Sequence, residues 1–193
     1  MVIKMKAALI WISFVAFVLI TGCASGGKTA AGERVSAKEL EAFRVTIYTE
    51  KEQIPLDELF TLEGTPYDGG ALLGKYVLVN FWAARCPYCR AEKPSMQRIY
   101  DRYKGERFTL LAVSVGEDAD TVMKYMGENG LDMPLVLDRE NVLRERYAPG
   151  IPTSYIVDCE GNIVARINGN KEWDSKQALK ILRHLVPEIA GVR

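Results

Sequence analysis

The chain has 193 residues, of which 48% are hydrophobic and 26% are charged. This length and composition are those of a globular protein with one domain of ordinary size around one buried core. Basic and acidic residues are equal in number, at 25 each, so the strong basic excess that is typical of nucleic-acid-binding proteins is absent.

The first 22 residues are patterned as a targeting signal. Lys4 and Lys6 give a positive start, and an apolar run of 14 residues, 7–20, follows. A membrane-spanning helix needs about 20 apolar residues, so this run fits the core of a signal peptide better. The alternative is an uncleaved membrane anchor. In either case we expect the domain to be held at a membrane outside the cytoplasm, on the periplasmic side of a bacterium with two membranes.

The end of this segment, Ile20-Thr21-Gly22-Cys23, resembles the lipobox of bacterial lipoproteins. The resemblance implies that residues 1–22 are a lipoprotein signal peptide and that Cys23 is lipidated as the new N-terminus. Residues 24–32 are small or polar, which is typical of a flexible linker. We therefore predict a tether over residues 23–43 and one folded domain over residues 44–193.

The first half of that domain shows strands, a loop and one long helix. Alternation at 44–49 predicts a strand, and the Gly- and Pro-containing stretch 64–70 predicts a hairpin or loop. The apolar run 75–82 is typical of a buried central strand. A helix is predicted over 87–103, because proline is favourable in a first helical turn. Pro94 lies inside it and is expected to kink it.

The second half continues the alternation. Strands are predicted at 108–115, 135–137, 154–157 and 163–167, and helices at 119–128, 141–147 and 173–186. The composition of residues 158–162 indicates a turn that joins the last two strands as a hairpin. This order of elements predicts an α/β sheet covered by helices on both faces.

The motif Cys86-Pro87-Tyr88-Cys89 carries the chemistry that we expect of the chain. Since it follows a predicted strand and begins a predicted helix, Cys86 lies over unpaired backbone N–H groups and the positive end of the helix dipole. Both features stabilise a thiolate, the reactive form of cysteine. Cys86 is therefore the predicted nucleophile, and Cys89 is the thiol that resolves the mixed disulfide. The redox centre is the cysteine pair itself, so we expect no organic cofactor and no metal.

Two other interpretations of the pair stay open. The spacing also suits half of a zinc site, although structural zinc needs four ligands and the other cysteine and histidine candidates are far away in sequence. An inert structural disulfide is the second alternative, because the expected compartment is oxidising.

The segment 81–94, FWAARCPYCRAEKP, resembles the active-site segment of thioredoxin-like proteins. It is most similar to the extracytoplasmic TlpA/ResA branch, in a lipoprotein form. Further matches extend over about residues 56–188 and include the Gly-Ile-Pro-Thr-Ser segment at 150–154. The resemblance implies a thioredoxin-like fold, with a central mixed β-sheet flanked by helices on both faces. It also implies a thiol–disulfide oxidoreductase that acts mainly as a reductant.

The resemblance assigns roles around the cysteines by position. Pro152 matches the cis-proline of the family, and Ile151 before it would offer backbone hydrogen bonds to an extended substrate. Glu92 matches an acidic residue of the ResA-like branch, one helical turn beyond Cys89, where a carboxylate would carry protons. Asn80 stands where cytoplasmic thioredoxins hold a buried Asp, which leaves Glu92 as the main candidate. An ordinary loop proline and a solvated glutamate are the alternatives.

Trp82 and Tyr88 complete the expected substrate-binding residues. We expect Trp82 to pack beside the cysteines and to shield them, with plain core packing as the alternative. We expect Tyr88 to contact partners.

The resemblance also implies the partners. Oxidised extracytoplasmic protein thiols, such as the haem-binding cysteines of apocytochrome c, would be the substrates, and a membrane electron donor related to CcdA or DsbD would recharge the pair. We expect a monomer that binds no nucleic acid. A disulfide-donating oxidase of the same fold and a non-catalytic binding lipoprotein with a structural disulfide are the alternative functions. A peroxidase is disfavoured, because its Pro-x-x-x-Thr-x-x-Cys pattern is absent.

Overall fold

The computed structural model describes residues 34–105 and 107–190. The predicted signal peptide, the predicted lipidation site Cys23 and the first part of the predicted tether lie outside the described residues. Within the described ranges, no helix combines the length and the apolar character that crossing a membrane requires.

A six-stranded mixed sheet forms the centre of the domain. Its strands are β1 (Val45–Ile47), β2 (Tyr76–Trp82), β3 (Phe108–Val115), β4 (Leu135–Asp138), β5 (Thr153–Val157) and β6 (Ile163–Asn168). The spatial order is β1-β6-β5-β2-β3-β4; β2, β3 and β4 run parallel, and the other neighbouring pairs are antiparallel. The strand that leads to the cysteines is therefore an inner strand, with β3 on one side and β5 on the other.

Helices pack around this sheet, which confirms the predicted α/β architecture. They are α1 (Ala37–Ala42), α2 (Pro87–Tyr103), α3 (Ala119–Glu128), α4 (Val142–Tyr147) and α5 (Lys176–Leu185), with 3-10 turns at Leu56–Glu58, Gly69–Leu72 and Pro187–Ile189. The bounds of α2, α3 and β3 are those predicted, and Pro94 lies inside α2 without ending it. α5 begins later than predicted, because the Ser175 side chain accepts a hydrogen bond from the Ala178 backbone N–H and so caps the helix there.

The alternation of β2 divides the core in two. Leu78 and Trp82 face one apolar cluster, which includes the inner side of α2 and α5. Val79 and Phe81 face the other cluster, on the side of α4. Asn80 shares the face of Leu78 and Trp82, because side chains alternate along a strand. A polar amide thus lies inside an apolar core and needs hydrogen-bond partners there.

The start of the domain differs from the sequence prediction, in which a flexible tether reached residue 43. Ser36 and Glu39 form a capping box at the start of α1, in which each side chain bonds the backbone N–H of the other residue. Lys180 of α5 donates to Glu39 at 2.7 Å, and this hydrogen bond, together with those from Ser36, lowers the pKa of Glu39 to about 2. Phe43 is buried against Trp173. The tether prediction is therefore wrong for residues 36–43, which belong to the folded domain.

Candidate active site

A disulfide joins Cys86 and Cys89 at the N-terminus of α2, with the two Cα atoms 5.3 Å apart. Cys86 is the N-cap of the helix, and its sulfur accepts a hydrogen bond from the Cys89 backbone N–H at 3.3 Å. Cys86 is half-buried, whereas Cys89 has no exposed surface. A partner can therefore approach Cys86 but not Cys89, and the same helix terminus that binds the Cys86 sulfur favours negative charge on it.

The Cys86–Cys89 disulfide is the redox group of this site. Among residues 34–105 and 107–190, no group of three or more His, Cys, Asp or Glu side chains is placed to hold a metal ion.

The loop before β5 faces the reactive sulfur. The Ile151–Pro152 peptide bond is cis, and the Ile151 carbonyl oxygen lies 3.9 Å from Cys86 Sγ. Ile151 is half-buried and Pro152 is buried. The Thr153 hydroxyl donates to the Gly150 carbonyl at 2.7 Å and closes the loop. A main-chain segment beside the sulfur is the kind of surface to which an extended peptide binds by strand addition.

Exposed aromatic and basic side chains surround Cys86. Tyr88, between the two cysteines, is 68% exposed. Arg90 lies over the ring of Tyr125, 5.5 Å from its centroid. Arg85 forms an ion pair with Glu117 at 3.3 Å. Two arginines, one of them paired with a carboxylate, and one exposed aromatic ring thus lie near the reactive sulfur in the chain.

Glu117, which the sequence analysis did not single out, holds the loop that leads to Cys86. Its buried carboxylate accepts hydrogen bonds from the backbone N–H groups of Ala84 at 2.8 Å and Arg85 at 3.2 Å. Gly116 before it has a φ of +62°, and a Cβ there would lie 2.8 Å from a neighbouring side chain, so the turn requires glycine. In the sequence, Gly116-Glu117 directly follows the buried strand β3. Because parallel strands end at the same edge of a sheet, this position could have identified Glu117 as a neighbour of the loop that follows β2.

A buried polar network lies on the inner side of the disulfide. It consists of Asn80, Glu92, Lys93, Ser154 and Trp173, each at most 2% exposed. The Asn80 side-chain amide donates to Glu92 Oε1 and to Ser154 Oγ, both at 2.9 Å, and its carbonyl oxygen accepts from Lys93 Nζ. The Trp173 indole N–H donates to Glu92 Oε2 at 3.3 Å. The polar groups thus satisfy one another where water does not reach them.

Glu92 lies one helical turn after Cys89 on α2, and the Lys171 backbone N–H donates to its Oε2 at 3.2 Å. Burial raises the pKa of Glu92, against the opposing effects of the Lys93 charge and the hydrogen bonds. Burial lowers the pKa of Lys93 to about 7, against the charge of Glu92. Glu92 is therefore not a solvated residue of the helix surface. A buried carboxyl with a raised pKa can exchange a proton closer to neutral pH than an exposed one can.

Trp82 lies next to Lys93 of this network and is 0% exposed. Its ring centroid is 4.3 Å from Lys93 Nζ and 5.4 Å from the ring of Tyr125. Trp82 belongs to the core cluster that also contains Cys89 and offers no surface to a partner, in contrast to its expected place among the substrate-binding residues.

Lys93 was also missed at the sequence level, because lysine in a charged helix is usually solvated. The signal that would have found it is its spacing from Cys89 and Met96. Residues at positions i, i+4 and i+7 share one face of a helix, and all three are buried.

A sequence model of the Redoxin family matches residues 48–182, a range that includes both cysteines. Thiol-disulfide oxidoreductase ResA of Geobacillus thermodenitrificans is 34% identical over 156 residues, which cover 75% of this chain and 90% of the relative. The ResA of Geobacillus kaustophilus is 33% identical over 141 residues, which cover 67% and 81% of the two chains.

Solved structures of other proteins have a fold similar to that of this chain. A thioredoxin-family thiol:disulfide interchange protein from Chlorobium tepidum superposes with a TM-score of 0.58 at 27% identity, over 72% of this chain and 98% of the other. StoA from Bacillus subtilis superposes with a TM-score of 0.51 at 25% identity, over 71% and 94% of the two chains.

Proposed function

Because the chain belongs to the Redoxin family and is a ResA-like thiol–disulfide oxidoreductase with a thioredoxin-like fold, we propose that it reduces disulfides in proteins outside the cytoplasm. The observation that carries this proposal is the asymmetry of the Cys86–Cys89 pair. Cys86 is half-buried at a helix N-terminus beside the loop of Ile151 and Pro152, and Cys89 is buried behind it.

The reaction begins with the reduced pair. The Cys86 thiolate attacks one sulfur of the substrate disulfide, and the other substrate sulfur leaves as a thiolate that takes up a proton. The Cys89 backbone N–H and the start of α2 stabilise the attacking thiolate. The substrate main chain lies along the loop of Ile151 and Pro152, and the exposed ring of Tyr88 contacts its side chains.

The second step closes the disulfide that the structure contains. Cys89 loses its proton and attacks the Cys86 sulfur of the mixed disulfide, and the second substrate thiolate leaves and is protonated. Glu92 takes the Cys89 proton, because it lies one turn away on the same helix and burial raises its pKa. Two electrons pass from the enzyme to the substrate, and the enzyme is left oxidised.

We place this reaction at the outer surface of a bacterial membrane. The support is the signal-peptide pattern of residues 1–22, the lipobox that ends in Cys23, and the linker composition that follows. The resemblance to ResA further suggests haem-binding cysteines of apocytochrome c as substrates and a CcdA- or DsbD-type membrane donor that re-reduces the pair. The protein would act as a monomer.

The reduction potential of the Cys86–Cys89 pair, measured with the full chain in defined thiol buffers, tests the direction of electron flow. Thioredoxin lies near about −270 mV and DsbA near about −120 mV. We expect a value at or below that of thioredoxin. A value near that of DsbA would make the protein a disulfide donor that uses the same site.

Membrane attachment is tested separately by fractionation of cells. We expect the full chain to sediment with membranes and a Cys23→Ala variant to lose its lipid. Metabolic labelling with a fatty acid distinguishes a lipidated chain from an uncleaved anchor. A Cys23→Ala variant that keeps the label would contradict lipidation at this cysteine.

A further inference from the structure

Lys93 is a buried charged residue that the reaction steps above do not use. Its side chain is 0% exposed, its Nζ donates to Asn80 Oδ1, and the centroid of the Trp82 ring lies 4.3 Å from Nζ. A buried ammonium is costly unless an opposite charge and hydrogen bonds compensate it. The compensating charge must therefore lie close by.

Asn80 connects Lys93 to that charge. The carbonyl end of its side-chain amide faces Lys93, and the NH₂ end faces Glu92 Oε1 at 2.9 Å. The dipole of the amide is thus oriented with its negative end toward an ammonium and its positive end toward a carboxylate. This orientation favours the pair of ions over the pair of neutral groups.

The loop before α5 brings a second lysine close to Glu92. Lys171 approaches the carboxyl with its backbone N–H, but its half-buried Nζ donates to three backbone carbonyl oxygens, at 2.7, 3.3 and 3.5 Å. Burial lowers the pKa of Lys171, and the charge of Arg44 lowers it further against the effect of Glu92. The Lys171 ammonium is thus directed to carbonyl groups rather than to the carboxyl.

The other elements around Lys93 bring neutral or distant groups. On α3, Tyr125 contacts the Trp82 ring. Arg90 of α2 lies over the Tyr125 ring rather than over the network. From β5, the network receives the hydroxyl of Ser154. Within the described residues, Lys93 is thus the ammonium that shares a hydrogen-bond partner with Glu92.

We propose that Lys93 is a positioning residue for the thiol–disulfide reaction: its buried ammonium, acting through Asn80, keeps the Glu92 carboxyl ionised and ready to accept the Cys89 proton. This inference rests on the proposed role of Glu92. In the closing step the proton moves from Cys89 Sγ to Glu92, and the new S–S bond forms as the substrate thiolate leaves. Lys93 keeps its protons and forms no new bond.

The titration of Glu92 in the reduced full chain tests the electrostatic part directly. The infrared band of the protonated Glu92 carboxyl is identified as the band that Glu92→Gln removes, and it is followed against pH. Lys93→Met removes the charge, and Lys93→Gln removes the charge but keeps a donor for Asn80. Lys124→Met on α3 is the matched control, because it removes one positive charge from a side chain that is 76% exposed.

We expect both Lys93 variants to move the midpoint of the band upward by about 1 to 3 pH units, the effect of losing a neighbouring opposite charge. The control should titrate like the wild type. Unchanged midpoints in both Lys93 variants would overturn the proposal. A wild-type midpoint in Lys93→Gln alone would overturn it as well, because a hydrogen bond rather than a charge would then be responsible.

The rate of disulfide closure, measured against pH in single turnovers, tests the functional part. In both Lys93 variants, we expect the acid limb of the rate–pH profile to shift upward together with the midpoint of the carboxyl band. If Glu92→Gln closes the disulfide as fast as the wild type does, the proposed role of Glu92 fails and takes the role of Lys93 with it. If Glu92→Gln is slow but the Lys93 variants keep the wild-type profile, only the inference on Lys93 fails.

Discussion

The two sides of the Cys86–Cys89 disulfide are built differently. On the outer side, Cys86, Tyr88 and Ile151 are at least partly exposed and belong to a helix start and a loop. On the inner side, the buried polar network joins three elements through hydrogen bonds centred on Asn80. An exposed outer side chain such as Tyr88 can change without leaving another group unpaired, whereas the loss of an inner residue leaves its partners buried without hydrogen bonds. The outer side thus suits the choice of partners, and the inner side suits control of protons.

The largest expected effect comes from the two sulfurs that separate these sides. Cys86→Ser should reduce disulfide reductase activity to the background rate, because the attacking thiolate is lost. Cys89→Ser should still attack but cannot close, so a mixed disulfide with the substrate should accumulate and appear on a non-reducing gel. A Cys86→Ser variant with full activity would contradict the assignment of Cys86 as the attacking nucleophile.

The next largest effect is expected at the centre of the network. Asn80→Leu removes the hydrogen-bond partner that Glu92, Lys93 and Ser154 share. We expect it to lower the free energy of unfolding by about 3–5 kcal/mol, the cost of leaving buried charged groups without a partner. Denaturant unfolding followed by circular dichroism measures this loss.

Asn170→Leu is the control for this variant, because Asn170 is exposed, and it should change stability by less than about 0.5 kcal/mol. Equal losses in the two variants would show that the network does not stabilise the fold.

The sequence reveals the outer side of the site better than the inner side. Periodicity and the Cys-Pro-Tyr-Cys spacing predict β2, α2 and the reactive pair, because these depend on neighbours along the chain. The burial of Lys93 depends on β5 and on the segment before α5, which are about 60 to 80 residues away in sequence. α1 was missed although its start has a local signal, the Ser36–Glu39 capping box, while its contact with α5 joins residues 39 and 180.

The loop before Cys86 lies between the two sides, and a smaller effect is expected there. Glu117→Ala leaves the N–H groups of Ala84 and Arg85 without their carboxylate acceptor, and we expect a loss of about 2 kcal/mol in the free energy of unfolding. Arg85→Ala removes the ion pair and two hydrogen bonds to the Val115 and Gly116 carbonyls, all made by an arginine side chain that is 57% exposed, and it should cost less than about 1 kcal/mol. Equal losses in the same unfolding experiment would mean that Glu117 acts through the ion pair and not through the loop backbone.

The smallest effect on stability is expected on the outer side. Tyr88 is 68% exposed, so Tyr88→Ala should change the free energy of unfolding by less than about 0.5 kcal/mol. Its KM for a protein disulfide should nevertheless rise about tenfold, the effect of losing an aromatic contact worth about 1.4 kcal/mol. Reduction of a small aromatic disulfide should be unchanged, because such a substrate reaches Cys86 without the surrounding surface.

Val142→Ala is the control for the loss of an exposed apolar side chain, because Val142 is 48% exposed on α4, and it should alter neither rate. If Tyr88→Ala slows both substrates equally, the ring acts on the Cys86 sulfur itself and not on the partner. Partner contact and sulfur chemistry would then depend on the same exposed residue, and the separation between the two sides of the disulfide would not hold.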